Sequence, residues 1–106
     1  MKNIRQGDVL LQLQNIKSVP AGASEIKPDG NRIVLAYGEV TGHAHAIYEN
    51  IDQVKMWAVG KVKYLEVMAR VTLKHEEHSP ATIEPGIYKL PTQVEYTPQA
   101  LLRTID

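Results

Sequence analysis

A β-hairpin is predicted by the stretch VKMWAVGKVKYLEVM, residues 54–68. Two runs rich in apolar residues flank Gly60-Lys61, and a two-residue connection that contains glycine is typical of hairpin turns. The next segment, residues 70–75, alternates between apolar and polar side chains and places Val71, Leu73 and His75 on one face. Alternation with period two is the pattern of a half-buried strand, so this part of the chain predicts a β-sheet.

Further strands are predicted on both sides of this hairpin. Residues 9–13, 32–37 and 87–96 form runs rich in apolar or β-branched residues, and each follows a turn signal that contains glycine. Pro91 interrupts the last run. Because proline has no N–H for a ladder hydrogen bond, it predicts an edge strand or a bulge at that point. Residues 15–24 contain Pro20-Ala21-Gly22 and predict a surface loop.

A short helix is predicted at the C-terminal end of the sequence. Thr97 is a suitable N-cap, and Pro98 fits the first helical position, where its missing N–H leaves no hydrogen bond unmade. Many short strands with glycine and proline turns, and almost no other helix, predict an all-β fold. We therefore expect one domain over residues 1–106, a small β-barrel or sandwich with a short C-terminal helix.

Composition narrows the classes of function. The 106 residues include twelve basic and twelve acidic side chains and no cysteine. Zero formal net charge argues against bulk attraction to nucleic acid or to an anionic membrane. Without cysteine, disulfides and thiolate metal sites are excluded, so any metal must be held by nitrogen and oxygen atoms. The sequence contains neither a signal-peptide pattern nor an apolar run of membrane-spanning length, so we expect a soluble, cytoplasmic protein.

The four histidines are concentrated in two pairs, which suggests a shared site. His43 and His45 are two residues apart, so on a strand their side chains point to the same face, about 7 Å apart along the chain. Glu49 shares that face if the strand continues. Neutral imidazole is a common metal ligand, and an H-x-H pair on a strand can bind one ion.

The second pair, His75 and His78, lies in the segment HEEH, residues 75–78. His75 ends a strand on its apolar face, whereas His78 reaches the same side only if the chain turns after His75. The predicted metal ligands are His43, His45 and His75, with Glu49 and His78 as further candidates. Zinc, iron, manganese or nickel would suit such a set.

The sequence leaves other interpretations open. The histidines can instead form structural hydrogen bonds in a non-enzymatic module that binds a protein partner, including a second copy through the edge strand implied by Pro91. If the site is catalytic, Glu76, Glu77 or Glu95 could act as a general base, and the sequence does not choose among them. The segment HEEH is not the H-E-x-x-H zinc motif, because its histidines are three residues apart rather than four.

Part of this pattern resembles the first cupin motif. Gly38, His43, His45 and Glu49 follow the order glycine, H-x-H and glutamate, and a later histidine completes the cupin metal site. The resemblance implies a divalent metal inside a double-stranded β-helix barrel. The chain departs from the cupin pattern in two places: the first spacer is one residue short, and Pro85-Gly86 follows the last histidine instead of preceding it.

A second resemblance covers nearly the whole chain. It is similar to a family of small bacterial and phage proteins that has no established activity. The segments that carry this likeness are QGDVLL (residues 6–11), GEVTGHAH (38–45), HEEH (75–78), PGIY (85–88) and QVEYTP (93–98). This likeness implies an intact small domain and no particular reaction.

Overall fold

The computed structural model describes residues 3–37 and 43–91. These residues form ten strands and one 3-10 helix, Ile51–Gln53. The strands are β1 Asn3–Gln6, β2 Val9–Gln14, β3 Ser24–Ile26, β4 Ile33–Tyr37, β5 Ala44–Ile47, β6 Val54–Val59, β7 Val62–Val67, β8 Val71–Lys74, β9 Ala81–Ile83 and β10 Gly86–Leu90. The all-β fold class is confirmed, whereas the predicted C-terminal helix lies outside the described residues.

Two antiparallel sheets pack against each other. The larger sheet has six strands in the order β1-β2-β10-β7-β6-β3, and the smaller has four in the order β4-β5-β8-β9. Fully buried side chains from both sheets form one hydrophobic core, among them Leu11 and Leu65 from the larger sheet and Ile47 and Leu73 from the smaller. The arrangement is a β-sandwich in which each sheet has one face covered by the other.

The predicted hairpin is present with the expected connection. β6 and β7 pair from Val54↔Val67 to Val59↔Val62, which leaves Gly60-Lys61 as the two-residue turn. Gly60 has a φ of +61°, a conformation that glycine adopts without strain. Local turn chemistry therefore sets this part of the larger sheet.

The prediction that Pro91 marks an edge strand is wrong, whereas the rest of the predicted strand, residues 92–96, lies outside the described residues. β10 lies inside the larger sheet, between β2 and β7, and pairs with both. Its pairing with β7 ends at Leu90↔Lys63, so Pro91 follows the last paired residue. Because Pro91 follows the last pair of the described ladder, its missing N–H removes no hydrogen bond from the described pairs.

Three short strands were not predicted: β1, β3 and β9. β1 consists of Asn3–Gln6 and includes three polar residues, and β3 and β9 are only three residues long. Such segments carry too little alternation to be recognised alone. Within the part of the chain that the structure describes, no helix is both long enough and apolar enough to cross a membrane.

One irregularity lies next to the histidines. In the β4–β5 ladder, Val34 pairs with Ala46 but Ala36 pairs with His45, so Leu35 is an extra residue in β4. This is a β-bulge, which bends the strand and redirects the side chains beside it. Leu35 and Ala36 are both buried as a result, and the small side chain of Ala36 lies opposite His45.

Candidate metal centre

Three segments meet at one end of the sandwich. They are the turn between β1 and β2, which includes Gly7 and Asp8, the start of β5, and the bend of residues 75–80 that follows β8. β1 of the larger sheet contacts β9 of the smaller sheet at this end. The two histidine pairs belong to the second and third segments, so the contact between the sheets brings them together.

All four imidazole rings lie in one cluster, with His75 in contact with the other three. Its ring centroid is 4.2 Å from that of His45, 4.8 Å from that of His78 and 5.8 Å from that of His43. His45 and His78 are also stacked, at 5.8 Å. The chain does turn after β8, which is the condition under which the sequence allowed His78 to join the site.

Three residues place potential ligand atoms close to one point. One atom from each of His43, His75 and Glu76 lies within 4.8 Å of the other two. Glu76 Oε1 accepts a hydrogen bond of 2.9 Å from the backbone N–H of Ala44, which holds this carboxylate against the start of β5. The group combines two ring nitrogens and one carboxylate oxygen, a set of ligand types found in zinc and non-haem iron sites.

The Glu76 carboxylate is held in its ionised form. The Ala44 hydrogen bond is the main reason that the pKa of Glu76 is lowered, followed by its own backbone N–H. His43 and His75 lower the pKa further through their positive charge when protonated. A carboxylate that is deprotonated at neutral pH is ready to bind a cation.

His45 is the most buried member of the cluster, with 2% of its surface exposed. Its Nδ1 lies 2.8 Å from Gln6 Oε1, and its Nε2 lies 3.4 Å from Asp8 Oδ1. Burial is the main reason that the pKa of His45 is lowered. Charge repulsion from His75 and His78 lowers it further, whereas Asp8 opposes the shift. The ring is thus biased towards the neutral form that can coordinate a metal.

His75 has a local hydrogen bond that competes with metal binding. Its Nδ1 accepts a hydrogen bond of 3.0 Å from the backbone N–H of Glu77. The neutral ring then carries its proton on Nε2, so neither nitrogen offers a free lone pair. For His75 to coordinate an ion, this hydrogen bond must break.

His78 packs against the turn between β1 and β2 at Gly7. A Cβ atom at this position would lie 2.6 Å from His78 Nε2. Gly7 also has a φ of +60°, as the first residue of a two-residue hairpin turn. Glycine therefore has two functions here: it forms the turn and leaves room for the imidazole.

The chain matches the model of a known protein family. A family model described as a domain of unknown function, DUF8820, matches residues 5–93. The chain belongs to the DUF8820 family. Neither the curated proteins nor the solved structures include a match to it. The expectation of a family without an assigned activity is confirmed.

The DUF8820 domain brings the four predicted histidine ligands into one ring cluster, of which His43 and His75, but not His45 and His78, belong to the converging group with Glu76. The fifth predicted ligand, Glu49, lies in the exposed segment after β5 and is not part of the converging group. β5 ends at Ile47, so the straight strand that would have placed Glu49 on the histidine face does not continue. Glu76 supplies the carboxylate instead. Glu95, one of the three candidate bases, lies outside the described residues.

Two residues of the site, Gln6 and Asp8, have no sequence signal that marks them as site residues. In the sequence they belong only to a turn signal and to a family resemblance. Gln6 is 3% exposed, and it and His45 are the buried polar residues of the described chain. A polar side chain that comes directly before a turn gives no sign of being buried, because the sheet that covers it is formed by residues far away in sequence.

Proposed function

We propose that this DUF8820 domain binds a divalent transition-metal ion through His43, His75 and Glu76. The observation that carries the proposal is the convergence of their ligand atoms to within 4.8 Å of one another. Two atoms bound to one tetrahedral ion at about 2.1 Å lie about 3.4 Å apart. The remaining gap of about 1–1.5 Å is within reach of side-chain rotation, since His43 and His75 are only half-buried and Glu76 is exposed.

The available atoms restrict the class of metal. Two imidazoles and one carboxylate suit zinc, iron, manganese or nickel, whereas the absence of cysteine excludes thiolate coordination. Three protein ligands leave at least one position of the ion open for water or for a substrate. We therefore propose a site that is capable of chemistry, without assigning a reaction to it.

The test is calorimetric titration of untagged, chelator-treated protein with Zn²⁺, Mn²⁺, Fe²⁺ and Ni²⁺. We expect one ion per chain at the His43, His75 and Glu76 group. His43→Ala, His75→Ala and Glu76→Gln should each weaken its binding by more than the factor of about 10–100 that is typical of an outer-shell change. Glu49→Gln is the matched control, because Glu49 is also an exposed carboxylate near β5 and lies outside the converging group.

Two results would contradict the proposal. One is the absence of saturable binding of any of the four metals by the unmodified protein at neutral pH. The other is a loss of affinity in Glu49→Gln with none in Glu76→Gln, which would favour the cupin-like ligand set of the sequence over the set proposed here. Circular dichroism of each variant establishes that the fold is retained.

We propose as a second candidate that the domain forms a homodimer through β4, which is an edge strand of the smaller sheet among the described residues. Exposed tyrosines support this: Tyr37 lies on β4 and Tyr48 follows the neighbouring β5. Unpaired backbone groups on an edge strand can pair with a second copy. Analytical ultracentrifugation should then show dimers that Tyr37→Lys converts to monomers. A wild-type protein that stays monomeric up to about 1 mM, above the dissociation constant of weak specific pairs, would exclude this dimer.

A further inference from the structure

The side-chain amide of Gln6 makes three hydrogen bonds that determine its orientation. Its Nε2 donates to the backbone oxygens of Leu73 at 2.8 Å and of Ser79 at 3.0 Å. Its Oε1 lies 2.8 Å from His45 Nδ1. Rotating the amide by 180° would place its oxygen against two carbonyl oxygens, with no hydrogen between them. The buried amide therefore has one satisfactory orientation.

This orientation determines which nitrogen of His45 carries a proton. Gln6 Oε1 can only accept, so His45 Nδ1 must donate. In the neutral ring, Nε2 is then unprotonated and presents its lone pair. Metal-binding histidines are commonly prepared in this way, with the second ring nitrogen donating to an oxygen of a neighbouring group.

The lone pair of His45 Nε2 faces a second acceptor. Asp8 Oδ1 lies 3.4 Å away, on the turn that follows Gln6. Two acceptor atoms at this distance repel each other unless a positive group lies between or beside them. The Asp8 side chain is 57% exposed, so a cation can reach this position from the solvent together with its water ligands.

We propose that Gln6 presets His45 in the Nδ1–H form, and that His45 Nε2 and Asp8 Oδ1 form a second pair of ligands for a divalent cation. The pair lies beside the His43, His75 and Glu76 group, because the rings of His45 and His75 are stacked at 4.2 Å. The inference rests on the proposed metal-binding function and extends it. Gln6 is a positioning residue, and Asp8 and His45 are the groups that contact the ion.

The same amide of Gln6 also holds the segment that carries the other pair of histidines. Leu73 and Ser79, its two acceptors, lie on either side of residues 74–78. Hydrogen bonds to both ends fix where this segment leaves and returns to the sheet. Gln6 thus couples the protonation pattern of His45 to the placement of His75 and His78.

The first test is ¹⁵N NMR of the histidine side chains in chelator-treated, metal-free protein at neutral pH. We expect His45 to carry a proton on Nδ1 only, which is recognised by the distinct shifts of protonated and unprotonated ring nitrogens. A proton on Nε2 only, or on both nitrogens as in an ion pair with Asp8, would overturn the proposal. This measurement requires neither metal binding nor a variant, so it remains decisive even if the proposed metal function fails.

The second test adds Zn²⁺ to the same sample. We expect the Nε2 resonance of His45 to shift as the ion binds. Saturable zinc binding with an unchanged His45 Nε2 would leave the His43, His75 and Glu76 site intact and overturn the second pair. If wild-type protein binds none of Zn²⁺, Mn²⁺, Fe²⁺ and Ni²⁺, the proposed function itself is rejected, and the ligand role of Asp8 is rejected with it.

Variants at Asp8 and Gln6 provide the third test. Asp8→Asn should weaken zinc binding at least about tenfold, whereas Asp52→Asn, an exposed control outside the cluster, should not. Gln6→Met removes the acceptor that fixes His45, so we expect a mixture of the two neutral ring forms and an about 10–100-fold loss of zinc affinity.

Gln14→Met is the matched control for Gln6→Met. Gln14 also donates its amide to a backbone oxygen, that of Gln12, but it lies at the far end of β2. If Gln6→Met lowers only the melting temperature, with His45 still protonated on Nδ1 alone, then Gln6 is merely structural. Should Gln6→Met fail to fold, the wild-type spectrum and Asp8→Asn still decide the proposal.

Discussion

Gly7→Ala tests whether Gly7 makes room for the His78 ring in addition to forming the first hairpin turn. The new Cβ would lie 2.6 Å from His78 Nε2 and 3.0 Å from Cδ2, closer than ordinary van der Waals contact. His78 is exposed, so its ring has room to rotate away from the new methyl group. We therefore expect the ring to leave its position beside His45 and His75 while the sandwich stays folded.

The cost of the substitution has two parts. A non-glycine residue at a φ near +60° in this kind of turn is destabilised by about 1–3 kcal/mol. Loss of the ring contacts of His78 adds about 1 kcal/mol, the scale of one ring–ring contact. Gly60→Ala measures the first part alone, because Gly60 is also the first residue of a two-residue turn, has a φ of +61°, and has no atom within 4 Å of the position that a new methyl group would take.

The assay combines urea unfolding of both variants with NMR of the histidine rings. Gly7→Ala should be less stable than Gly60→Ala by about 1 kcal/mol, and only Gly7→Ala should shift the His78 resonances. Equal losses of stability in the two variants, together with unchanged His78 resonances in Gly7→Ala, would refute the idea that Gly7 makes room for the ring.

The remaining predictions concern Tyr88, whose side chain is buried and whose hydroxyl donates a hydrogen bond of 2.7 Å to the backbone oxygen of Glu84. Tyr88→Phe should lower the free energy of unfolding by about 1 kcal/mol, measured by urea titration at neutral pH; an unchanged value would mean that this hydrogen bond adds no net stability. Burial and the charge of Glu84 raise the pKa of Tyr88, so its contribution to stability is complete below the unfolded-state pKa of about 10 and is lost as the pH rises through the folded-state pKa. Above pH 10 the free energy of unfolding should therefore fall more steeply with pH for wild type than for Tyr88→Phe. The same pH dependence in both proteins would contradict the raised pKa.

The parts of the fold that could be predicted are those with strong local signals. The β6–β7 hairpin follows from two apolar runs and a glycine turn, and β8 follows from the alternation of buried Val71 and Leu73 with more exposed neighbours. The error at Pro91 has the opposite cause. Its position relative to the ladder depends on which strands flank β10, and that is decided by packing between segments distant in sequence.

The histidines of the candidate site could be predicted from the sequence because of their residue type, whereas the other residues of the site could not. Two histidine pairs indicated a shared site, and the structure brings their rings together. A straight strand would place Glu49 on the histidine face, but β5 is only four residues long. Gln6 and Asp8 were missed because their importance arises from contact between β1 and the smaller sheet, and no local pattern encodes that contact.

The same contact explains how a polar cluster can lie at the end of an apolar core. His45 and Ile47 share one face of β5, and Ile47 belongs to the core, so His45 continues the core surface with a polar ring. Burying such a ring is unfavourable unless its nitrogens have partners. Gln6 provides a partner for Nδ1 from the other sheet, and Asp8 Oδ1 lies 3.4 Å from Nε2, where a bound cation would join the two atoms.

Two groups of residues in the cluster can be distinguished: those that stabilise the fold, and those that can be substituted without a loss of stability. A buried polar atom left without its partner costs about 1–3 kcal/mol, so changes at Gln6 or His45 should alter both stability and metal affinity. Glu76 and Asp8 are exposed at the rim of the cluster, and their carboxylates can be neutralised without opening the core. The rim variants should therefore lose metal affinity, while the free energy of unfolding of the metal-free protein stays constant. That result would show that the cluster serves binding rather than folding.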